Sequence, residues 1–213
     1  ATLLVGRTDA SLLPGLPLFA ANIFRQDMDG NPVATAVGFV EALNWMSEQG
    51  VSVVNVSLSG PPNDLMEQAV RQATKRGMLI VAAVGNDHLA GTKRYPAAYD
   101  NVIGVTAIDS QGAVLPEANS GNYVSYAAPG VDIWVPNGLL AQADGKSADG
   151  AGDYYTGTSF AAPYVTAAAA LVGNDVRRLQ DGARDLGKPG YDETFGWGLV
   201  QAGGNCVTTV GQK

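Results

Sequence analysis

The chain has 213 residues, of which 46% are hydrophobic and 15% are charged, and its formal net charge at pH 7 is -7. These values predict one large domain with a sizeable core and argue against a disordered chain. Because nucleic acids and anionic membrane surfaces attract basic proteins, the acidic balance argues against either of them as a partner.

One cysteine, Cys206, and one histidine, His88, limit the sites that the chain could build. A disulfide needs two cysteines and a zinc site needs several Cys or His ligands, so the sequence predicts neither. Cys206 is expected to pack in the fold or to lie near a loose end. The longest apolar run, around residues 165–172, is too short to span a bilayer.

The first part of the chain alternates predicted strands and helices. The opening residues, ATLLVG, carry no cap or turn signal, as if a helix or strand had been entered midway. A buried strand is predicted over Leu16–Phe24, and the turn-rich loop DMDGNP follows and ends at Pro32. An amphipathic helix is predicted over Thr35–Gln49, with Gly50 as its C-terminal cap.

Further strands frame a second helix. Val51–Leu58 is β-branched and mostly apolar, which is typical of a strand covered on both faces. A helix is predicted over Asp64–Arg76, and strands over Met78–Val84, Val102–Ile108 and Tyr123–Ala127. Because strands and helices alternate, we predict an α/β fold with a doubly wound, mainly parallel sheet and helices on both of its faces.

Small or polar residues follow two of these strands, at the sheet edge where such folds bind ligands. They are Ser57, Leu58, Ser59 and Gly60 after the first strand, and Gly85, Asn86, Asp87 and His88 after the second. Asn86 fits two roles. It could be a turn residue with a left-handed backbone, which is common for Asn after Gly, or its amide could donate to a developing oxyanion.

A loop rich in Gly, Asn and Asp is predicted from Pro136 to Asp153, and the stretch YYTGTSFAAPYVTAAAAL follows it. Its alanine-rich part has high helix propensity. Thr158 or Ser159 is expected to cap this helix, and Pro163 is expected in its first turn. The Ser159 hydroxyl would then lie near unpaired N–H groups, which suits a nucleophile. Taken alone, the stretch fits a capped buried helix with an incidental serine better.

Six motifs occur in one order along the chain: VNVSLSGP, VAAVGND, RYPAAYDNVIGVTA, YAAPGVDI, GTSFAAP and DLGKPGYDETFGWGLVQA. With them the chain resembles the subtilisin-like serine proteases over nearly its whole length, and GTSFAAP is the most specific of the six. The resemblance implies a single catalytic domain over residues 1–213 that hydrolyses peptide bonds through an acyl-enzyme. It also implies a peptide or protein substrate and a secreted or periplasmic protein.

The same resemblance assigns roles to single residues. Ser159 matches the acylating nucleophile, and Asn86 matches the oxyanion-hole asparagine, whose amide would act together with the Ser159 N–H. The residues that match the family's substrate-binding surface are Asn31, Pro32, Val33, Ser57, Leu58, Ser59, Gly60 and Gly85. Ser59 replaces a usual glycine, and Pro32 lacks the N–H that pairing with an extended substrate would use. Pro96 matches a proline that is commonly cis.

The largest departure from the family concerns the catalytic base. The family's triad runs Asp, His, Ser along the chain, and neither the aspartate strand nor the HGT-type histidine motif is in the sequence. ATLLVG looks like the tail of the helix that carries the histidine. His88 follows Asn86 in one loop, and we interpret it as a surface residue and not as a substitute base. We therefore expect the isolated chain to be nearly inactive.

Three functional hypotheses follow. The chain is part of a serine endopeptidase whose Asp and His lie upstream, or it is active only with a second chain or swapped segment, or it is a catalytically dead protease fold used for binding. The presence of both Ser159 and Asn86 favours the first. A propeptide is a further candidate partner, and self-association is expected through apolar surface near Leu3, Leu4 and Val5. The sequence specifies no cofactor. Asp and Asn residues in the loops could bind calcium, as in many members of the family that the chain resembles, but no spacing among them defines a calcium site.

Overall fold

The computed structural model describes residues 2–5, 11–136 and 152–202. Cys206 and most of the loop predicted between Pro136 and Asp153 lie outside these residues. In chain order the elements are α1 (Thr2–Val5), β1 (Phe24–Gln26), β2 (Pro32–Ala34), α2 (Ala36–Glu48), β3 (Val53–Val56), α3 (Asp64–Lys75), β4 (Leu79–Ala83), β5 (Val102–Ile108), β6 (Val124–Pro129), β7 (Ile133–Pro136), β8 (Gly152–Tyr155), α4 (Thr158–Leu171) and α5 (Val176–Gly182).

A parallel sheet with the strand order β3-β4-β5-β6 forms the centre of the fold. Val53 of β3 lies opposite Leu79 of β4, and Ile80 of β4 lies opposite Val102 of β5. Two short antiparallel pairs, β1 with β2 and β7 with β8, stand apart from this sheet. The pairing of β7 with β8 shows that the predicted loop from Pro136 to Asp153 begins and ends in strands.

The sheet has a hydrophobic core on each face, because successive side chains of a strand point to opposite sides. Along β4, Ile80 and Ala82 pack with side chains of α2 and α3. Val81 and Ala83 pack with the alanine-rich face of α4 on the other side. The predicted α/β fold, with a parallel sheet between helices, is therefore confirmed.

The predicted helices before and after β3 are confirmed, and their ends follow from local chemistry. The Thr35 hydroxyl accepts a hydrogen bond from the Gly38 N–H at the start of α2. The Asn63 side chain caps α3 by accepting from two backbone N–H groups. Gly50 and Gly77 follow the two helices with φ of 72° and 90°, a left-handed backbone that glycine adopts without strain. No helix among the described residues is both long and apolar enough to cross a bilayer.

The buried strand predicted over Leu16–Phe24 is wrong. Only Phe24 belongs to a strand, and Leu16 and Leu18 are 50% and 46% exposed. A buried strand needs a neighbour that accepts its backbone hydrogen bonds and covers its side chains. This segment has no such neighbour among the described residues, because β3 is the edge of the described sheet and a groove of about 440 Å³ separates it from residues 16–21.

Apolar surface was expected near Leu3, Leu4 and Val5, and it lies in the groove beside them and not on Leu3 and Leu4 themselves. Leu3 and Leu4 are buried, at 8% and 7% exposure. Leu4 packs against Leu13 and against Ala167 of α4, and the two backbone N–H groups of residues 12 and 13 bond to carbonyls of α1. The short helix α1 therefore covers part of α4. The exposed apolar side chains nearby are those of Leu16, Leu18 and Phe19, which line the same groove as Leu4 and Val5.

Gly104 provides a test of the packing between β5 and the start of β6. A Cβ at this position would collide with the backbone carbonyl of Tyr123, which cannot move aside as a flexible side chain would. We expect Gly104→Ala to lower the free energy of unfolding by about 1–3 kcal/mol in denaturant titrations. Gly182→Ala is the matched control, because its nearest new neighbour would be a carbonyl oxygen at 3.8 Å. Equal losses in the two variants would contradict the prediction.

Tyr126 provides a test of burial at alkaline pH. Burial raises the pKa of Tyr126 to about 12, and the Asp181 carboxylate adds to this shift. In the unfolded chain the pKa of a tyrosine is about 10, so the unfolded state loses the proton first. Stability is therefore retained below pH 10 and falls as the pH rises towards 12. We expect a smaller fall in Tyr126→Phe and an unchanged one in Tyr154→Phe, whose side chain is exposed, when unfolding is followed between pH 9 and 12.

Candidate active site

Ser159 lies in the first turn of α4, directly after the strand β8 and the Gly157 turn. The N–H groups of a first helical turn have no acceptor within the helix, and Gly157 offers no side-chain cap. The prediction that Thr158 or Ser159 caps the helix is wrong, because both hydroxyls bond elsewhere. The Thr158 oxygen accepts from the Gly85 N–H at 3.3 Å, and the Ser159 hydroxyl donates to the Ser57 carbonyl at 3.3 Å.

Pro163 lies in the second turn of α4 and not in the first, as the sequence had suggested. A residue with an N–H at this position would donate it to the carbonyl of Ser159, four residues earlier. The Ser57 hydroxyl supplies the missing donor, at 2.9 Å from that carbonyl oxygen. Ser57 and Ser159 therefore exchange two hydrogen bonds, which tie the end of β3 to the start of α4.

Two polar residues that the sequence analysis missed extend this link. Asn55 donates from its amide to the Ser57 hydroxyl at 3.0 Å, and the Thr166 hydroxyl donates to the Asn55 side-chain oxygen at 3.0 Å. Thr166 stands two turns after Ser159 on α4, so the helix contacts β3 at two levels. A polar Asn within an apolar strand and a Thr within an alanine run were the only signals in the sequence.

Asn86 contacts the start of α4 directly. Its side-chain oxygen accepts from the Thr158 N–H at 3.0 Å. Its amide nitrogen lies beside Gly157, where an added Cβ would come within 3.3 Å of it. This arrangement places an exposed amide N–H₂ group next to the first turn that carries the Ser159 N–H and hydroxyl. An amide N–H₂ group and a backbone N–H near a hydroxyl are the kinds of group from which an oxyanion hole and its nucleophile are built.

The turn hypothesis for Asn86 is wrong. The left-handed positions in its loop are Gly85, with φ 97°, and His88, with φ 59°. His88 is exposed and its backbone N–H bonds to the Glu117 carbonyl, whereas the Ser159 hydroxyl bonds to Ser57. None of these contacts brings the imidazole to the serine, which agrees with the interpretation of His88 as a surface residue.

Asn119 is a further residue that the sequence analysis missed. It precedes β6, is 1% exposed, and forms side-chain hydrogen bonds to the segment that carries Asn86. Its oxygen accepts from the N–H groups of Asp87 at 3.1 Å and Leu89 at 2.9 Å. Its nitrogen donates to the Val84 carbonyl at 3.0 Å and to the Asp87 carboxylate at 3.1 Å. In the sequence it stands in ANSGN, which indicates only a turn.

An ion pair flanks this loop. Arg94 Nε lies 2.8 Å from Asp87 Oδ2. The hydrogen bond from Asn119 is the main cause that holds the pKa of Asp87 below its ordinary value; partial burial opposes it, and the Arg94 guanidinium adds to the lowering. The Asp87 carboxylate is therefore ionised at neutral pH. The peptide bond between Tyr95 and Pro96, which follows Arg94 in the chain, is cis, as the resemblance implied for Pro96.

Most of the residues predicted to bind substrate lie around Ser159. The segment that contains Ser57, Leu58, Ser59 and Gly60 leaves β3 beside the helix start, and the backbone of Gly60 pairs with that of Tyr95. Gly85 is packed between this segment and Asn119, because an added Cβ would lie 2.6 Å from Asn119 Nδ2 and 2.9 Å from Ser59 Oγ.

No hydrogen bond described for the other predicted segment reaches Ser159. Asn31, Pro32 and Val33 belong to the β1–β2 hairpin, and the hydrogen bonds described for them stay within it, to Asp27 and to residues of β1. Within the part of the chain that the structure describes, no three His, Cys, Asp or Glu side chains are grouped closely enough to hold a metal ion.

Sequence comparison finds known proteins that are similar to this chain. Subtilisin DY from Bacillus licheniformis is 31% identical to the chain, over 88% of the chain and 67% of its own length. Minor extracellular protease Epr from Bacillus subtilis is also 31% identical, over 82% of the chain and 27% of its own length. The chain therefore spans only part of each of these relatives.

A solved structure agrees with the sequence comparison. Fervidolysin from Fervidobacterium pennivorans, described as a keratinolytic enzyme related to subtilisin, matches with a TM-score of 0.65 and 29% identity. The match covers 78% of this chain and 28% of that chain. The sequence model of the subtilase family matches residues 13–198, a span that includes Asn86, Ser159 and the sheet that holds them. The chain belongs to the subtilase family of serine proteases.

Proposed function

We propose that this chain carries the nucleophile and the oxyanion hole of a serine endopeptidase. Ser159 attacks the carbonyl carbon of the scissile peptide bond and becomes acylated, and water later releases the acyl group. The amide of Asn86 and the N–H of Ser159 stabilise the negative oxygen of the tetrahedral intermediates. The hydrogen bond from the Thr158 N–H to the Asn86 oxygen supports this role most directly, because it turns the amide nitrogen towards the helix start.

The substrate would bind as an extended peptide. Ser57, Leu58, Ser59 and Gly60 form a short segment beyond β3. The Ser57 carbonyl is bonded to Ser159 and the Gly60 backbone to Tyr95, so the backbone of Leu58 and Ser59 is proposed to pair with the extended chain. The hairpin residues Asn31, Pro32 and Val33 are proposed as the opposite edge of the cleft. Neither the acyl transfer nor the binding requires a cofactor, so we propose hydrolysis without one.

The general base is proposed to come from polypeptide other than these 213 residues. The only histidine, His88, is exposed. The Ser159 hydroxyl forms a hydrogen bond to the Ser57 carbonyl, and a carbonyl oxygen is too weak a base to remove the hydroxyl proton. An alcohol without a base is a weak nucleophile. The isolated chain is therefore proposed to be nearly inactive, whether the base lies on the same gene product or on a second chain.

We propose that an extended segment that carries the base binds in the groove beside β3. Its β3 side is an edge strand, whose outer N–H and C=O groups can pair with another strand. Its other side is lined by the exposed apolar side chains of Leu16, Leu18 and Phe19, which a bound segment would cover. A propeptide would have to bind elsewhere, over the cleft at Ser159. Self-association through the open groove is proposed for the isolated chain.

A secreted or periplasmic location is proposed for the protein, on the basis that one relative is named an extracellular protease.

The second candidate function is a protease fold that binds peptides without cleaving them. The hydrogen bond of the Ser159 hydroxyl to a carbonyl instead of a base is the observation that favours it.

Labelling with a fluorophosphonate, which reacts with serines activated by a base, distinguishes these functions. We expect no labelling of the isolated chain, and labelling at Ser159 in the protein as the native organism produces it, with any partners that co-purify. Ser159→Ala is the control that should remain unlabelled. Strong labelling of the isolated chain would contradict an external base. A native protein that stays unlabelled and cleaves no peptide would contradict the endopeptidase and favour the binding function.

Asn86→Ala tests the oxyanion hole in the native, active protein. We expect kcat for peptide hydrolysis to fall by about 10²–10³, a magnitude taken over from the loss of the equivalent donor in subtilisin. KM should change little, since the amide bonds to an oxygen whose charge develops only in the transition state. The exposed Gln72→Ala on α3 is a control that also removes a side-chain amide, away from the residues of the proposed site. An unchanged kcat in Asn86→Ala would be incompatible with the proposed role.

A further inference from the structure

We propose that Asn119 is a positioning residue for Asn86. Its buried amide fixes the course of residues 84–89, and through that backbone it sets the direction in which the Asn86 amide points. Asn119 itself stays below the surface and does not touch substrate. This inference deepens the proposed function, because it rests on Asn86 as the oxyanion donor.

The first argument is the completeness of the Asn119 bonds. A side-chain amide has two donor hydrogens and an oxygen with two acceptor sites, and all four are used here. The four partners are two backbone N–H groups, one carbonyl and one carboxylate, at distances of 2.9 to 3.1 Å. All of them belong to Val84, Asp87 and Leu89. An amide that is 1% exposed and fully bonded to one loop has a fixed orientation and fixes the loop in turn.

The second argument is where these bonds fall. Val84 and Asp87 lie on either side of Gly85 and Asn86, so the Asn119 side chain spans the segment that carries the donor. The Asn119 backbone N–H adds a bond to the Gly85 carbonyl at 3.0 Å. None of the described hydrogen bonds of Asn119 is made to Asn86. The Asn86 side-chain oxygen accepts a hydrogen bond from the Thr158 N–H instead. Both ends of the loop are thus fixed while its catalytic side chain faces the cleft.

The third argument is that this loop needs external support. Gly85 and His88 have φ of 97° and 59°, and a left-handed backbone at a residue with a side chain is sparsely populated without it. The contact at Gly85 is also tight, since an added Cβ would lie 2.6 Å from Asn119 Nδ2. A change in the Asn119 amide is therefore transmitted to the backbone next to Asn86.

The variant Asn119→Asp isolates the donor function. Aspartate has nearly the same shape as asparagine and keeps the oxygen that accepts from Asp87 and Leu89. It replaces the amide nitrogen by a second, negative oxygen, which would face the Val84 carbonyl and the Asp87 carboxylate. Like charges repel at this distance, so the loop must move away. Asn119→Ser, which keeps one hydroxyl, is the milder variant if Asn119→Asp does not fold.

Side-chain amide NMR on the 213-residue chain tests the positioning without any need for activity. We expect Asn119→Asp to shift or broaden the Asn86 side-chain N–H₂ signals, with a smaller change of the same kind in Asn119→Ser. Leu43→Ala is the control for general destabilisation, because Leu43 is a buried residue of α2 in the core that α2 and α3 form with the sheet, and it makes no described hydrogen bond to residues 84–89 through its side chain. It should leave the Asn86 signals in place. Unchanged Asn86 signals in both Asn119 variants overturn the proposal.

A double-mutant cycle in the native, active protein supplies the catalytic readout. We expect Asn119→Asp to lower kcat by up to about 10²-fold with little change in KM, since a small misplacement of a catalytic group costs that much. In the Asn86→Ala background the same change should have almost no further effect on kcat, because its target is gone. Full additivity overturns the proposal. If Asn86→Ala alone leaves kcat unchanged, the proposed function fails, and the NMR result still decides whether Asn119 positions the loop.

Discussion

The exchange of two hydrogen bonds between Ser57 and Ser159 is the constraint on which the candidate site depends. Pro163 cannot donate to the Ser159 carbonyl, so the first turn of α4 has a carbonyl that another element must satisfy. The Ser57 hydroxyl does so at 2.9 Å, and the Ser159 hydroxyl returns a bond to the Ser57 carbonyl. A helix alone would not fix the position of its first turn relative to the sheet, but this pair joins the first turn of α4 to the end of β3.

The sheet and its helices could be predicted because their signals are local. Val102–Ile108 was predicted with its observed bounds, since a run of apolar and β-branched residues buried on both faces has few alternatives. Leu16–Phe24 is also mostly apolar, yet it is largely exposed and only Phe24 is paired, because pairing depends on a neighbouring strand and not on the run itself. The start of α4 was misjudged for a similar reason. The hydroxyls of Thr158 and Ser159 bond to distant segments, which compete with capping.

The site was predictable only in part. The motif around Ser159 and the sequence after β4 pointed to a nucleophile and an oxyanion donor, and the structure brings Asn86 to within hydrogen-bond distance of the Thr158 N–H. Asn55 and Asn119 gave no such signal. Their partners lie 111 and about 30 residues away in the sequence, and a polar residue in a strand or a turn is ordinary until its partner is known. The hairpin residues Asn31 to Val33 were assigned by resemblance, and the contacts described for them remain within the hairpin.

The sequence separation within the Ser57–Ser159 pair has a consequence for the order of folding. The two residues are 102 positions apart, and β4, β5 and β6 all lie between them in the sequence. Contacts between distant positions form late, because closing a long loop costs entropy that local contacts cannot offset early. Ser159 thus reaches its place beside β3 late in folding. Under the proposed function, the site for cleavage would be assembled only in a chain that is already folded and therefore less open to cleavage.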